Sequence, residues 1–152
     1  MKVFISHKST DASIASSIHQ EFKKLGVDAY LDLLDSFTGD GKKLTAHIKE
    51  QLNKCSDIIV VMSSSTKTSW WVPFEIGMSV QVEMPTASYL TANVELPDYL
   101  SYWPRLRNLS DIAKYITVRN KLWRTDALFE NRMVSGANST DEFYRQLKAV
   151  LI

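Results

Sequence analysis

Apolar positions along this chain switch repeatedly between strand-like runs and helical spacing. Lys2-Val3-Phe4-Ile5-Ser6 is a β-branched and aromatic run, and it leads straight into Ser9-Thr10-Asp11, which offers helix caps. From Ile14 the apolar residues fall at Ile14, Ala15, Ile18, Phe22 and Leu25, a 3.6-residue period, and Gly26 stands where a left-handed terminating residue is wanted. Val27 to Leu34 reads as a second strand, Asp35 to Gly41 as a polar, glycine-containing loop, and Leu44, Ile48 and Leu52 as the stripe of a second helix. Asp57-Ile58-Ile59-Val60-Val61-Met62 is apolar without alternation beyond its first residue, which predicts a central strand covered on both faces of a parallel sheet. Ser69 is a good cap and Pro73 is tolerated only in an opening turn, so a third helix is expected to start within a residue or two of Trp70. Further along, the pattern predicts a strand near Pro85 to Leu90, an irregular stretch from Pro97 to Arg107 rich in Tyr and Trp, and a last strand over Lys114 to Val118. A closing helix follows, with Ser139 and Glu142 as its capping box and Phe143, Leu147, Val150 and Leu151 as its apolar face.

Strands alternating with helices in this way specify an α/β fold, a doubly wound parallel sheet of five strands. Such sheets place their sites beyond the carboxyl ends of the strands. Three loops are therefore expected to converge: Ser6-His7-Lys8, Leu34 to Gly41, and Ser63-Ser64-Ser65. No repeat, linker or second domain interrupts the pattern, and 152 residues suit a single domain over 1–152 that buries roughly 70% of its unfolded surface.

Composition narrows the partners only slightly. A formal charge of +1 gives no electrostatic reason to expect nucleic acid, and the longest apolar run, Ile58 to Met62, is far too short to span a bilayer. The lone Cys55 cannot form an internal disulfide, and no basic segment precedes a long apolar run near the start, so a cytoplasmic location is expected.

The chemistry centres on Trp71 and Glu75, four residues apart on one helix face, with Trp70, Phe74 and Met78 forming a second row. A carboxylate beside an indole near a helix start is paired or functional if buried; the ordinary alternative is a packing helix whose Glu75 reaches solvent. Other motifs are absent. Gly39-Asp40-Gly41-Lys42-Lys43 lacks the first glycine of a phosphate loop, where Ser36 stands, and the third glycine of a dinucleotide fingerprint, where Leu44 stands. His7, His19, His47 and Cys55 have no metal-ligand spacing, so no metal is expected, and no serine sits in a nucleophile elbow. Tyr99, Tyr102 and Trp103, without a basic surplus, read as packing.

Phe4-Ile5-Ser6-His7 at the start, the polar loop after the second strand, the buried third strand and Trp71-Val72-Pro73-Phe74-Glu75 together resemble a TIR (Toll/interleukin-1 receptor) domain. The resemblance is clear from Lys2 to Gly77 and follows element order beyond. Val72 occupies a position where many members have cysteine, and the loop after the second strand lacks the proline-glycine pair common in receptor members. The resemblance implies a flavodoxin-like fold and, in members that keep the glutamate, cleavage of NAD+ at the nicotinamide-ribose bond, with NAD+ as substrate and no separate cofactor. It assigns the catalytic carboxylate to Glu75, a wall of the ribose pocket to Trp71, the diphosphate or adenosine side to Ser6, His7 and Lys8, and a stacking ring to Tyr30. Packing within its strand is the alternative for Tyr30, and a solvated loop charge for Lys8. It also implies self-association or association with other TIR domains, with Phe37 and Asp40 in the contacting loop, and a role in prokaryotic anti-phage signalling through an effector that responds to the product. Two other classes stay open: a non-enzymatic TIR adaptor, and a nucleoside deoxyribosyltransferase-like enzyme that also uses a glutamate at a ribose carbon.

Overall fold

The computed structural model describes residues 1–31, 40–91, 94–128 and 136–151. Five strands, β1 (Lys2–Ser6), β2 (Asp28–Leu31), β3 (Asp57–Met62), β4 (Thr86–Leu90) and β5 (Arg105–Leu106), make one sheet in the order β2-β1-β3-β4-β5. Every pairing is parallel. The helices are α1 (Ala12–Lys24), α2 (Gly41–Asn53), α3 (Trp71–Gln81), α4 (Ser110–Leu128) and α5 (Gly136–Val150). α1 packs near α4, which packs on α5, while α2 lies beside α3. With right-handed crossovers this puts the two groups on opposite faces, the doubly wound α/β arrangement expected from the sequence.

Local chemistry accounts for the elements. α1 buries Ala15, Ile18 and Phe22, and ends at Gly26, whose φ of +74° lets Val27 N–H reach Phe22 O at 2.9 Å and close the helix. All six residues of β3 are buried, as a strand between β1 and β4 with helices on both faces must be. At the far end of β3 from the loops of interest, Asp57 accepts hydrogen bonds from Tyr115 Oη at 2.8 Å, Arg119 Nε at 2.8 Å and Ser56 Oγ at 2.6 Å. The Arg119 guanidinium also lies 5.8 Å over the Phe143 ring, so one buried carboxylate ties α4 and α5 to the sheet.

Three expectations are corrected. Lys114 to Val118 is not a strand but the middle of α4: Ile112, Tyr115 and Ile116 are buried at helical spacing, and tertiary packing overrides the strand preference of Tyr-Ile-Thr-Val. The last strand is Arg105–Leu106, inside the stretch expected to be irregular. The Ser139 and Glu142 capping box also fails, because α5 starts earlier, at Gly136, and Glu142 pairs instead with Arg145 and Gln146 along the helix. Phe37 and positions 32–39 lie outside the described residues, and with them the carboxyl end of the expected second strand and most of the loop after it.

Among the aromatics read as packing, Trp103 is buried and Tyr102 contacts both Trp103 and Tyr144, whereas Tyr99 is exposed. Cys55 is half-buried and burial pushes its thiol up to about 11, so it is a poor nucleophile at neutral pH. Among the described residues no helix is long and apolar enough to cross a membrane.

Candidate active site

The site forms where β1 and β3 end side by side. Ser6, the last residue of β1, pairs with Val60 and is fully buried. Its hydroxyl donates to Glu75 Oε2 across the space between sheet and α3. α3 begins at Trp71, one residue from the expected start, and Ser69 Oγ accepts from Val72 N–H at 3.3 Å to cap its first turn. Glu75 follows Trp71 by four residues and is 0% exposed, the one charged residue in an eleven-residue helix. The alternative in which Glu75 reaches solvent is thereby excluded. Trp71 is half-buried, and its ring meets Phe74 edge-on with centroids 6.0 Å apart.

His7 and Lys8 continue the rim from Ser6. His7 is largely buried, with Nδ1 3.5 Å from Ile5 O. The Lys8 ammonium donates to Thr68 Oγ1 at 2.6 Å and Ser65 O at 3.2 Å, so it bridges the loops after β1 and β3. Tyr30 stands apart from this group. It pairs with Phe4, two residues before Ser6 and hence about 7 Å deeper along the sheet. Its ring lies against Phe4 with centroids 5.4 Å apart, and its hydroxyl is 3.2 Å from His47 Nε2, contacts that suit the packing alternative.

Asp40 proves to be the N-cap of α2, its carboxylate accepting from Lys43 N–H at 2.9 Å. Asp40→Ala is therefore expected to lower stability by about 1 kcal/mol, measurable as a shift in the denaturant midpoint, whatever its effect on association. An unchanged midpoint would show that the cap carries no weight.

Sequence reasoning missed Asp11 and its partners. Ser9-Thr10-Asp11 looked like caps, but the Asp11 side chain makes no capping bond; its Oδ2 accepts from Ser63 Oγ at 2.7 Å. Thr66 Oγ1 in turn accepts from Ser63 N–H at 2.9 Å, and Ser63 Oγ accepts from Ser65 N–H at 3.1 Å. Together with Lys8 these bonds fasten the loop after β1 to the loop that launches α3, which fixes Ser6 relative to Glu75. Only the topology brings residues 52 positions apart into contact, so no local signal announced the pair. Among the described residues no group of three His, Cys, Asp or Glu side chains could hold a metal ion.

Comparisons with known proteins agree with this architecture. A 2-deoxyribosyltransferase from Bacillus psychrosaccharolyticus superposes with a TM-score of 0.59 at 11% identity, over 74% of this chain and 90% of the other. The TIR domain of the Toll-related receptor TRR-2 from Hydra magnipapillata gives a TM-score of 0.57 at 17% identity, over 85% of this chain and 95% of the other. At these identities both similarities speak for the fold alone. No curated protein matches the chain. The model of the TIR domain family matches residues 3–132, which include all of β1 but its first residue, all of α3, and Ser6, Trp71 and Glu75, and the chain therefore belongs to the TIR domain family.

Proposed function

We propose that this TIR domain cleaves NAD+ at the bond between nicotinamide and ribose, with Glu75 as the catalytic carboxylate. The observation that carries the reading is the wholly buried Glu75, held by Ser6 at the mouth of the sheet, beside a half-buried indole. A carboxylate taken out of water is costly to keep, so a wholly buried one is either held for structure or held for function, and the ribosyl-cleaving role is the function this one fits.

The chemistry needs little more. When the ribosyl C1′–N bond breaks, both of its electrons leave with the pyridinium ring, which departs as neutral nicotinamide. No acid has to protonate the leaving group, so one carboxylate suffices where glycosidases commonly use two. The positive charge passes to the ribose, where Glu75 stabilises the oxocarbenium-like transition state and accepts hydrogen bonds from the sugar hydroxyls. Water adding to C1′ and losing a proton gives ADP-ribose; a nucleophile within the substrate or on another molecule gives a cyclic or conjugated product. Ser6 orients the carboxylate and Trp71 walls the pocket. His7 and Lys8 face the diphosphate and adenosine side, where Lys8 contributes positive charge while holding the rim. We infer a setting in prokaryotic anti-phage signalling, with copies of the domain assembling and an effector protein binding the product.

Incubating the purified chain with NAD+ over a series of protein concentrations and separating the products by chromatography tests the reading. Nicotinamide appearing together with ADP-ribose or an isomer is the expected result. No nicotinamide at any concentration would overturn it in favour of an adaptor, and base exchange on deoxynucleosides would favour the deoxyribosyltransferase class.

A further inference from the structure

Glu75 has no exposed surface, yet the reaction proposed above needs its carboxylate against a ribose. The site is therefore in a closed form. Glu75 stands in the second turn of α3, so whatever holds the start of α3 against the end of β1 keeps the carboxylate covered. The ties there differ in kind. The bonds from Ser6 Oγ to Glu75 and from Ser63 Oγ to Asp11 are buried, out of reach of a ligand, whereas the Lys8 ammonium donates at 2.6 Å to Oγ1 of Thr68, an exposed residue. Thr68 ends a single 3-10 turn, Thr66–Thr68, and donates from its N–H and its Oγ1 to Ser65 O at 3.1 and 2.9 Å. Lys8 donates to the same oxygen at 3.2 Å. A carbonyl has two lone pairs, so with three donors on it Lys8 can leave and the oxygen stays satisfied. Only Ser69 and Trp70 separate this knot from α3.

We propose that the bridge from Lys8 to Thr68 and Ser65 is a latch that keeps Glu75 covered, and that the diphosphate of the substrate releases it, which makes Thr68 a specificity-determining residue. The proposal deepens the NAD+ reading above and rests on it. An ammonium held by a neutral hydroxyl and a carbonyl gains the attraction of an opposite charge when a diphosphate takes their place. A ligand shifts a closed-open equilibrium only by preferring one of the two states, and a diphosphate prefers the state in which Lys8 has left Thr68. The loop that launches α3 then loses its one surface tie to Lys8, and the first turns of the helix can move off Ser6. A nucleoside without phosphate has no such preference and meets the closed site. The part of the substrate far from the scissile bond thus admits the part that reacts, and dinucleotides are selected over nucleosides.

Offering the substrate in two pieces tests the latch. Nicotinamide riboside carries the scissile bond and no phosphate, and inorganic pyrophosphate supplies the missing charge. Release of nicotinamide from the riboside is expected to rise about tenfold when pyrophosphate is added, the factor that a hydrogen bond to a charged group is worth. Thr68→Val removes the hydroxyl at an exposed position while keeping the shape of the side chain; it should cleave the riboside about tenfold faster without pyrophosphate and gain little from adding it. Amide hydrogen exchange over residues 65–75 needs no turnover. Pyrophosphate should speed it in the unaltered chain, and it should already be fast in Thr68→Val and in Lys8→Met, which leaves the bonds within the turn in place. Exchange indifferent to pyrophosphate, or variants that exchange like the unaltered chain, overturns the latch. The two readings fail separately: exchange that responds as described in a chain leaving NAD+ intact sinks only the enzyme, and NAD+ cleavage with exchange blind to pyrophosphate sinks only the latch.

Discussion

Glu75→Gln is expected to abolish nicotinamide release while leaving the melting curve unchanged. The amide keeps the shape of the side chain and can still accept the Ser6 hydroxyl bond, so the contact between β1 and α3 survives. What disappears is the negative charge facing the ribosyl cation. Removing one preorganised electrostatic group of this kind typically costs 10²-fold or more in rate, about 3 kcal/mol, because in a water-excluded site nothing else takes over the role. Progress curves with NAD+ in large excess measure it. A variant that keeps more than about a tenth of the activity would contradict a loss of that size and move the chemistry away from Glu75.

Asp57→Ala is expected to lower stability by about 3 kcal/mol. Asp57 is wholly buried and accepts from Tyr115, Arg119 and Ser56. Truncation leaves the Tyr115 hydroxyl, itself fully buried, without this acceptor and Arg119 without this counter-charge. Breaking a buried ion pair from one side costs about 3–5 kcal/mol, and the lower end applies because the Arg119 side chain keeps some contact with water. Chemical unfolding followed by circular dichroism gives the value. A loss under about 1 kcal/mol would mean that the carboxylate is replaced by water and that the clamp adds little.

How far the chain could be read in advance follows from how local each signal is. α1 was legible because its apolar stripe and Gly26 lie within one short segment, and β3 because the five apolar residues from Ile58 to Met62 in a row leave few alternatives. Glu75 and Trp71 could be placed on one face from spacing alone, and Ser6 reached the same site through the order of strands. β5 could not be found, since two residues are too few to alternate, and α4 was misread where strand-favouring residues happened to sit at helical spacing. The Asp11–Ser63 bond and the Asp57 clamp were invisible for another reason: each joins positions more than fifty residues apart, and its partners are chosen by the fold rather than by neighbours in sequence.

The brevity of β5 also bears on how the protein behaves when concentrated. A sheet that ends in a long, flat strand presents a ladder of unpaired N–H and C=O groups, a template on which further chains can stack into fibres. Here the strand beside β4 offers two residues, Arg105 and Leu106, and one of them carries a charge. Such a border is too short to seed cross-β growth, which leaves contacts between side chains as the route for ordered self-association at this side of the molecule and lets the protein be stored at high concentration without polymerising from this edge.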